Sequence, residues 1–121
     1  MRFITALAIL LFASNALAAN VMTPATYSFT IVKDTTAPVI TDQQPAPGAS
    51  NVDPIATITF HVKDAELGVN QSSIVLKVNN TVVPTVVTGT KYDYTVSYVP
   101  VTPFTYGQTV NVSISASDLA P

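Results

Sequence analysis

The chain has 121 residues, 48% of them hydrophobic and 10% charged, with 17 Val, 17 Thr, one His and neither Cys nor Trp. That length holds one domain, and the lack of Cys excludes a disulfide framework. Five Lys and Arg against seven acids leave no basic face to neutralise nucleic-acid phosphates, so no nucleic acid is expected as a partner. The β-branched bias favours strands, because branched side chains fit a pleated surface.

The first element, MRFITALAILLFASNALA, carries Arg2, an apolar run from Phe3 to Phe12 and small residues at Ala16 and Ala18. This is the layout of a secretory signal peptide over residues 1–18, expected as a helix that is cleaved after Ala18. The run is about ten residues long, against the ~20 that span a bilayer. No second apolar stretch follows, so no membrane span is expected after cleavage. Export places the product outside the cell or on its surface. Without Cys, its stability must come from packing, from a neighbour or from a metal. Losing Arg2 leaves four Lys against seven acids, a formal charge of −3.

In TYSFTIV, residues 26–32, Tyr27, Phe29 and Ile31 alternate with Ser28 and Thr30, which predicts a strand within an N-terminal segment at 19–33. A polar lead-in ends at Pro38, and VIT at 39–41 begins a short strand. Residues 43–54 hold three Pro and a Gly and read as a loop. IATITFHVK, 55–63, predicts a strand with Ile58, Phe60 and Val62 inward and His61 and Lys63 outward. After a loop at 64–72, residues 73–79 place Ile74, Leu76 and Val78 inward, and Asn79-Asn80 predicts a tight turn, since Asn tolerates positive φ. TVVPTVV, 81–87, is expected to return as one hairpin strand, at an edge because Pro84 cannot donate to a ladder. TGTK is expected to turn the chain into a strand at 92–99, with Tyr94, Val96 and Tyr98 inward; 100–108 crosses over to a last strand at 109–117. Short punctuated strands with no helical period predict an antiparallel sandwich or barrel. Six strands from Pro38 onward fall one short of the seven of an immunoglobulin-type sandwich, the deficit lying after the last strand.

Three stretches together resemble the bacterial immunoglobulin-like repeats of secreted and surface proteins. They are DTTAP at 34–38, the D-x-x-x-G-V-x-x-S-S-I run at 64–74, and F-x-Y-G-Q-T-V followed by S-A-S-D-L-A over 104–120. The resemblance spans about residues 34–120. It implies an all-β immunoglobulin-like sandwich of six to seven strands over 34–121, lacking its final strand, and a role as a spacer or adhesive module rather than a catalyst. It also implies that residues 20–32 correspond to the last strand of a preceding repeat.

In such a sandwich the start of the first strand, the loop after the second and the turn after the last meet at one pole. Asp34, Asp64, Glu66 and Asp118 fall there, and clustered carboxylates with loop carbonyls suit Ca²⁺, which takes six to eight oxygens. No fixed ligand spacing such as an EF-hand loop accompanies them. His61 stands alone on a strand, no nucleophile–base pair is legible, and no phosphate-cradling glycine loop occurs, so no catalytic residue is expected. Tyr106 has the place of a tyrosine corner, a phenol bonding back to upstream backbone. Tyr92, Tyr94 and Tyr98 suit a sheet face better than a sugar-stacking platform, since their period is two. The expected function is a secreted structural or adhesive module, with neighbouring immunoglobulin-like domains, another copy of the chain, a surface protein or a glycan as partner. The alternatives are a carbohydrate-binding accessory domain, or a self-assembling subunit completed by a strand from a neighbouring chain.

Overall fold

A computed structural model describes residues 18–121 and divides the chain into two units, Met1–Ile31 and Val32–Pro121. The signal-peptide helix expected over 1–18 lies almost wholly outside the described residues. No helix among those described is long and apolar enough to cross a membrane.

In the first unit, residues 18–31 form neither helix nor strand. Tyr27, Phe29 and Ile31 are 90%, 75% and 72% exposed, and the rings of Tyr27 and Phe29 stack with centroids 6.3 Å apart. The alternation expected of a strand over 26–32 is present, but among the described residues no ladder takes it up. A strand needs a neighbour's backbone groups, and among the described residues this segment has none.

The second unit holds seven strands: β1 (Val39–Gln44), β2 (Ile58–Lys63), β3 (Val75–Val78), β4 (Thr81–Val83), β5 (Val86–Thr90), β6 (Asp93–Tyr98) and β7 (Val112–Ser115), with a 3₁₀ turn at Gln71–Ser73. They form two antiparallel sheets ordered β1-β2-β6-β5 and β4-β3-β7. The first is the A-B-E-D sheet of an immunoglobulin-type sandwich, and the second carries C and F with an extra edge strand. The position beyond β7, where strand G of that fold belongs, holds no ladder among the described residues.

Period-two alternation builds the core. Ile58, Phe60 and Val62 of β2 and Val96 of β6 meet Leu76 and Val78 of β3, with Val69 from the loop between β2 and β3, and all are buried. Ile40, Tyr94, Tyr98, Phe104, Val110 and Ile114 pack against them at the margin. The turn at Asn79-Asn80 has φ of 49° and 64° at its two residues, as the Asn pair requires.

One expected strand is two. Residues 81–87 split at Pro84: β4 pairs with β3, and β5 crosses to the other sheet to pair with β6. Pro84 has no N–H to extend the β3 ladder, so the chain leaves that sheet there. TGTK is correspondingly strand rather than turn at Thr88, Gly89 and Thr90, and the reversal falls on Lys91 and Tyr92, between the paired Thr90 and Asp93. Gly89 makes this possible: its φ is +108°, and a Cβ there would collide with the Asp93 carbonyl.

Tyr106 is no tyrosine corner. It is 89% exposed, and Phe104, two residues earlier, packs on the core instead. Gln108 closes the turn by donating its N–H to Thr105 C=O (3.0 Å) while its Oε1 accepts the Thr105 N–H (3.0 Å). That closed turn holds residue 106 at its tip.

Candidate metal centre

The loop after β2 is held on two sides by backbone. On one, Asp64 N–H donates to Tyr92 C=O (3.2 Å) and Val69 N–H to Lys91 C=O (2.7 Å). On the other, Leu119 N–H donates to Gly68 C=O (2.8 Å) and Asn70 N–H to Ser117 C=O (2.9 Å), with Val69 bridging Asp118. Residues 64–70 are thereby stitched between the β5–β6 turn and the chain after β7.

Within this frame Asp64 is 4% exposed. Its Oδ1 accepts the N–H of Glu66 (2.9 Å) and of Gly68 (3.2 Å), which folds the loop back on itself. Gly68 has φ +96° and lies against the Lys91 stem, so a side chain at this position would be strained. The other oxygen, Oδ2, is buried and has no hydrogen-bond partner among the described residues. A buried carboxylate oxygen left unpaired is costly, and most such atoms in proteins are satisfied.

One carboxylate oxygen from each of Asp34, Asp64 and Asp118 lies within 4.8 Å of the other two. Asp34 Oδ1 accepts the Thr36 N–H (3.0 Å) and Oδ2 the Leu67 N–H (3.1 Å), which ties the lead-in of β1 to the loop. Asp118 Oδ1 accepts the Ala120 N–H (3.0 Å). The Thr36 N–H is the largest influence on the Asp34 carboxyl and holds its pKa below the ordinary value, against partial desolvation. The Glu66 carboxyl, the Leu67 N–H and the Thr36 hydroxyl act in the same lowering sense. Asp34 is therefore ionised at neutral pH, as a cation ligand must be.

Three of the four expected ligands come together; Glu66 does not join them. It is exposed, and its Oε2 accepts the Thr35 N–H (3.1 Å), so it braces the lead-in beside the cluster. The carbonyls of Lys91 and Tyr92 and the fold of Gly68, which hold the loop, were not among the sequence-derived candidates. Only the spacing of Gly68, four residues after Asp64, hinted at them.

On the outer face of the four-stranded sheet, His61 Nδ1 donates to Asp93 Oδ1 (2.7 Å), and Lys63 Nζ reaches Asp42 Oδ2 (3.3 Å) and Asp93 Oδ2 (3.8 Å). His61 is thus paired rather than a lone exposed strand residue. Its partner could have been suspected, because antiparallel register sets Lys63 opposite Asp93. Tyr92 is 49% exposed under the Lys91 ammonium, 4.9 Å from its ring centroid, whereas Tyr94 and Tyr98 pack on the core. The three tyrosines therefore form no common stacking face.

Comparison of the chain with known protein families, with curated proteins and with solved structures finds no match.

Proposed function

We propose that the chain is a secreted, non-catalytic immunoglobulin-like module, structural or adhesive in role, whose acidic pole is a Ca²⁺ clamp. The observation that carries this reading is the buried Asp64 carboxylate, one oxygen of which has no hydrogen-bond partner among the described residues, grouped with the carboxylates of Asp34 and Asp118. Three negative groups so close repel unless a cation sits among them. An all-carboxylate set with no His or Cys selects a hard cation, and Ca²⁺ tolerates the irregular geometry of loops where Mg²⁺ does not. Loop carbonyls and water would complete its six to eight oxygens. Extracellular modules bind calcium with Kd of about 10⁻⁴–10⁻³ M, so a modest site is filled outside cells.

Such a clamp ties three separate stretches to one ion: the lead-in to β1 through Asp34, the loop after β2 through Asp64, and the turn after β7 through Asp118. A pole fixed in this way transmits load into the sandwich instead of through a slack loop, which is what a spacer or an adhesive stalk requires. Cleavage after Ala18 fits the export half of the reading, and the exported product should begin at Ala19.

The experiment is thermal unfolding with and without millimolar Ca²⁺, run in parallel on Asp64→Asn. Calcium at ten times its Kd stabilises the native state by about 1.4 kcal/mol, a rise of several degrees in a domain of this size. In Asp64→Asn the rise should vanish while the two N–H bonds to Oδ1 survive. A melting temperature that millimolar calcium leaves unchanged in the unsubstituted chain sinks the proposal.

A further inference from the structure

Opposite the acidic pole the sandwich is open. A groove of about 730 Å³ runs between the end of β1 and the free edge of β7, lined on its apolar floor by Ile58, Phe60, Phe104, Val110, Val112 and Ile114. Val112 is 44% exposed, although its ladder partner Val78 is only 6% exposed. Among the described residues β7 has a strand, β3, on one side only, and its Val112 and Ile114 line the groove. The same chain carries an apolar segment with a strand's alternation and, among the described residues, no ladder: Tyr27, Phe29 and Ile31, all more than 70% exposed.

We propose that the groove takes residues 26–32 of a second copy of this chain, laid antiparallel to β7 as an eighth strand. Adding a strand to a free edge satisfies backbone groups on both sides, and alternate side chains then drop into the apolar floor. Tyr27, Phe29 and Ile31 are the side chains that would enter; Ser28 and Thr30 would face out beside Ser113.

Charge sets the direction. Asp53, in the loop between β1 and β2, is the sole charged residue among the described residues that line the groove. Lys33 is the first charge in the chain after Tyr27. An antiparallel strand carries Lys33 toward the end of the groove where the β1–β2 loop lies, and so toward Asp53.

Chain length selects a second copy. An antiparallel strand in its own copy would leave Val32 at the end of β7 remote from Asp118, about 24 Å away for a seven-residue strand. Asp34, two residues later, has an oxygen within 4.8 Å of one on Asp118. Two residues span at most about 7 Å. A strand given by a neighbour meets no such limit, and because donor and acceptor are different surfaces the contact is heterologous and can propagate head to tail.

The test exploits the absence of Cys from the chain. Thr30→Cys and Ser28→Cys are each mixed with Ser113→Cys and oxidised gently; all three positions are exposed. Cross-strand neighbours lie within the Cα separation that a disulfide bridges. The expected result is a disulfide heterodimer in excess of either homodimer for at least one pair, lost when Phe29→Asp is added to the donor copy. Sedimentation of the unsubstituted chain should show mass rising with concentration, and Phe29→Asp should return it to monomer without lowering its melting temperature at high dilution. Heterodimer no more abundant than the homodimers overturns the proposal. So does a chain carrying both cysteines that closes on itself as a monomer, which would place the strand in its own copy. The calcium reading is separate, since none of these outcomes depends on the acidic pole.

Discussion

Val96 and Val112 occupy equivalent places in the alternation of β6 and β7, yet one is fully buried and the other is 44% exposed. The difference lies in their neighbours. β6 has a strand on each side, β2 and β5, whereas among the described residues β7 has β3 alone. Side-chain pattern decides which way a residue faces, but burial also needs a strand alongside to close the layer. The sandwich therefore has a finished half around β2 and β6 and an unfinished half at β7.

That contrast has a direct energetic test. Phe60→Ala removes a 1% exposed ring from the finished half and should cost about 3–5 kcal/mol in denaturant unfolding. Val112→Ala, measured at high dilution, should cost well under the roughly 1.5–3 kcal/mol expected for losing a fully buried Val side chain. Equal losses for Val112→Ala and Val96→Ala would mean that the β7 side is as closed as the β6 side, and the distinction would fall.

The acidic pole sharpens the comparison, because it is closed by polar rather than apolar contacts. Asp64→Ala deletes the acceptor of two loop N–H groups, one of them on buried Gly68, and should cost about 1–3 kcal/mol for each group left unsatisfied. Asp64→Asn keeps the acceptor and removes a buried charge facing two others. In chelator it should match or exceed the parent in stability. A chelated Asp64→Asn as unstable as Asp64→Ala would show that the charge itself, and not the cap, holds the loop.

A smaller effect is expected at Gly89, where the finished sheet turns. Gly89→Ala places a side chain at φ +108° against the Asp93 carbonyl, and should cost roughly 1–3 kcal/mol with β5 fraying first in hydrogen exchange. The same substitution at Gly48, where a Cβ meets nothing within 4 Å, carries only the strain of its positive φ.

These positions also mark what the sequence discloses. Period-two runs such as Ile58-Phe60-Val62 and Leu76-Val78 declare both strand and facing, since burying one face of a sheet leaves no other solution. The all-β sandwich was legible for that reason, as was the meeting of Asp34, Asp64 and Asp118 at one pole once strand order was assumed. Three things were not. Pro84 signals a break in a ladder but not which sheet the chain joins afterward, because that depends on β6 offering a free edge. Thr88-Gly89-Thr90 has turn-like composition, yet Gly89 serves as a strand residue because the Asp93 carbonyl approaches it. Glu66 is two residues from Asp64, but the cap on its own N–H turns it toward Thr35. In each case the deciding partner is remote in the chain, so no local pattern reports it.

The smallest expected effect separates the two carboxylates whose pKa values lie below the ordinary range. Asp42, on the outer face of the finished sheet, is lowered chiefly by the Thr41 hydroxyl, then by the hydrogen bond and charge of Lys63, with His61 contributing least. Asp34, at the pole, is lowered chiefly by the Thr36 N–H. A carboxyl depressed in the folded state adds stability that is present above its unfolded pKa and is lost as pH falls through the folded value. Both therefore act only on the acid limb, and exposure keeps Asp42's share small because water screens its pairing with Lys63. Lys63→Met should raise the Asp42 titration midpoint toward that of a free Asp, read by carboxyl NMR, while leaving Asp34 where it is. Calcium should do the reverse: lower the Asp34 midpoint further, since protons and metal compete for the same oxygens, and leave Asp42 unmoved. If calcium shifted Asp42 as much as Asp34, the ion would be acting as general ionic strength rather than through the pole.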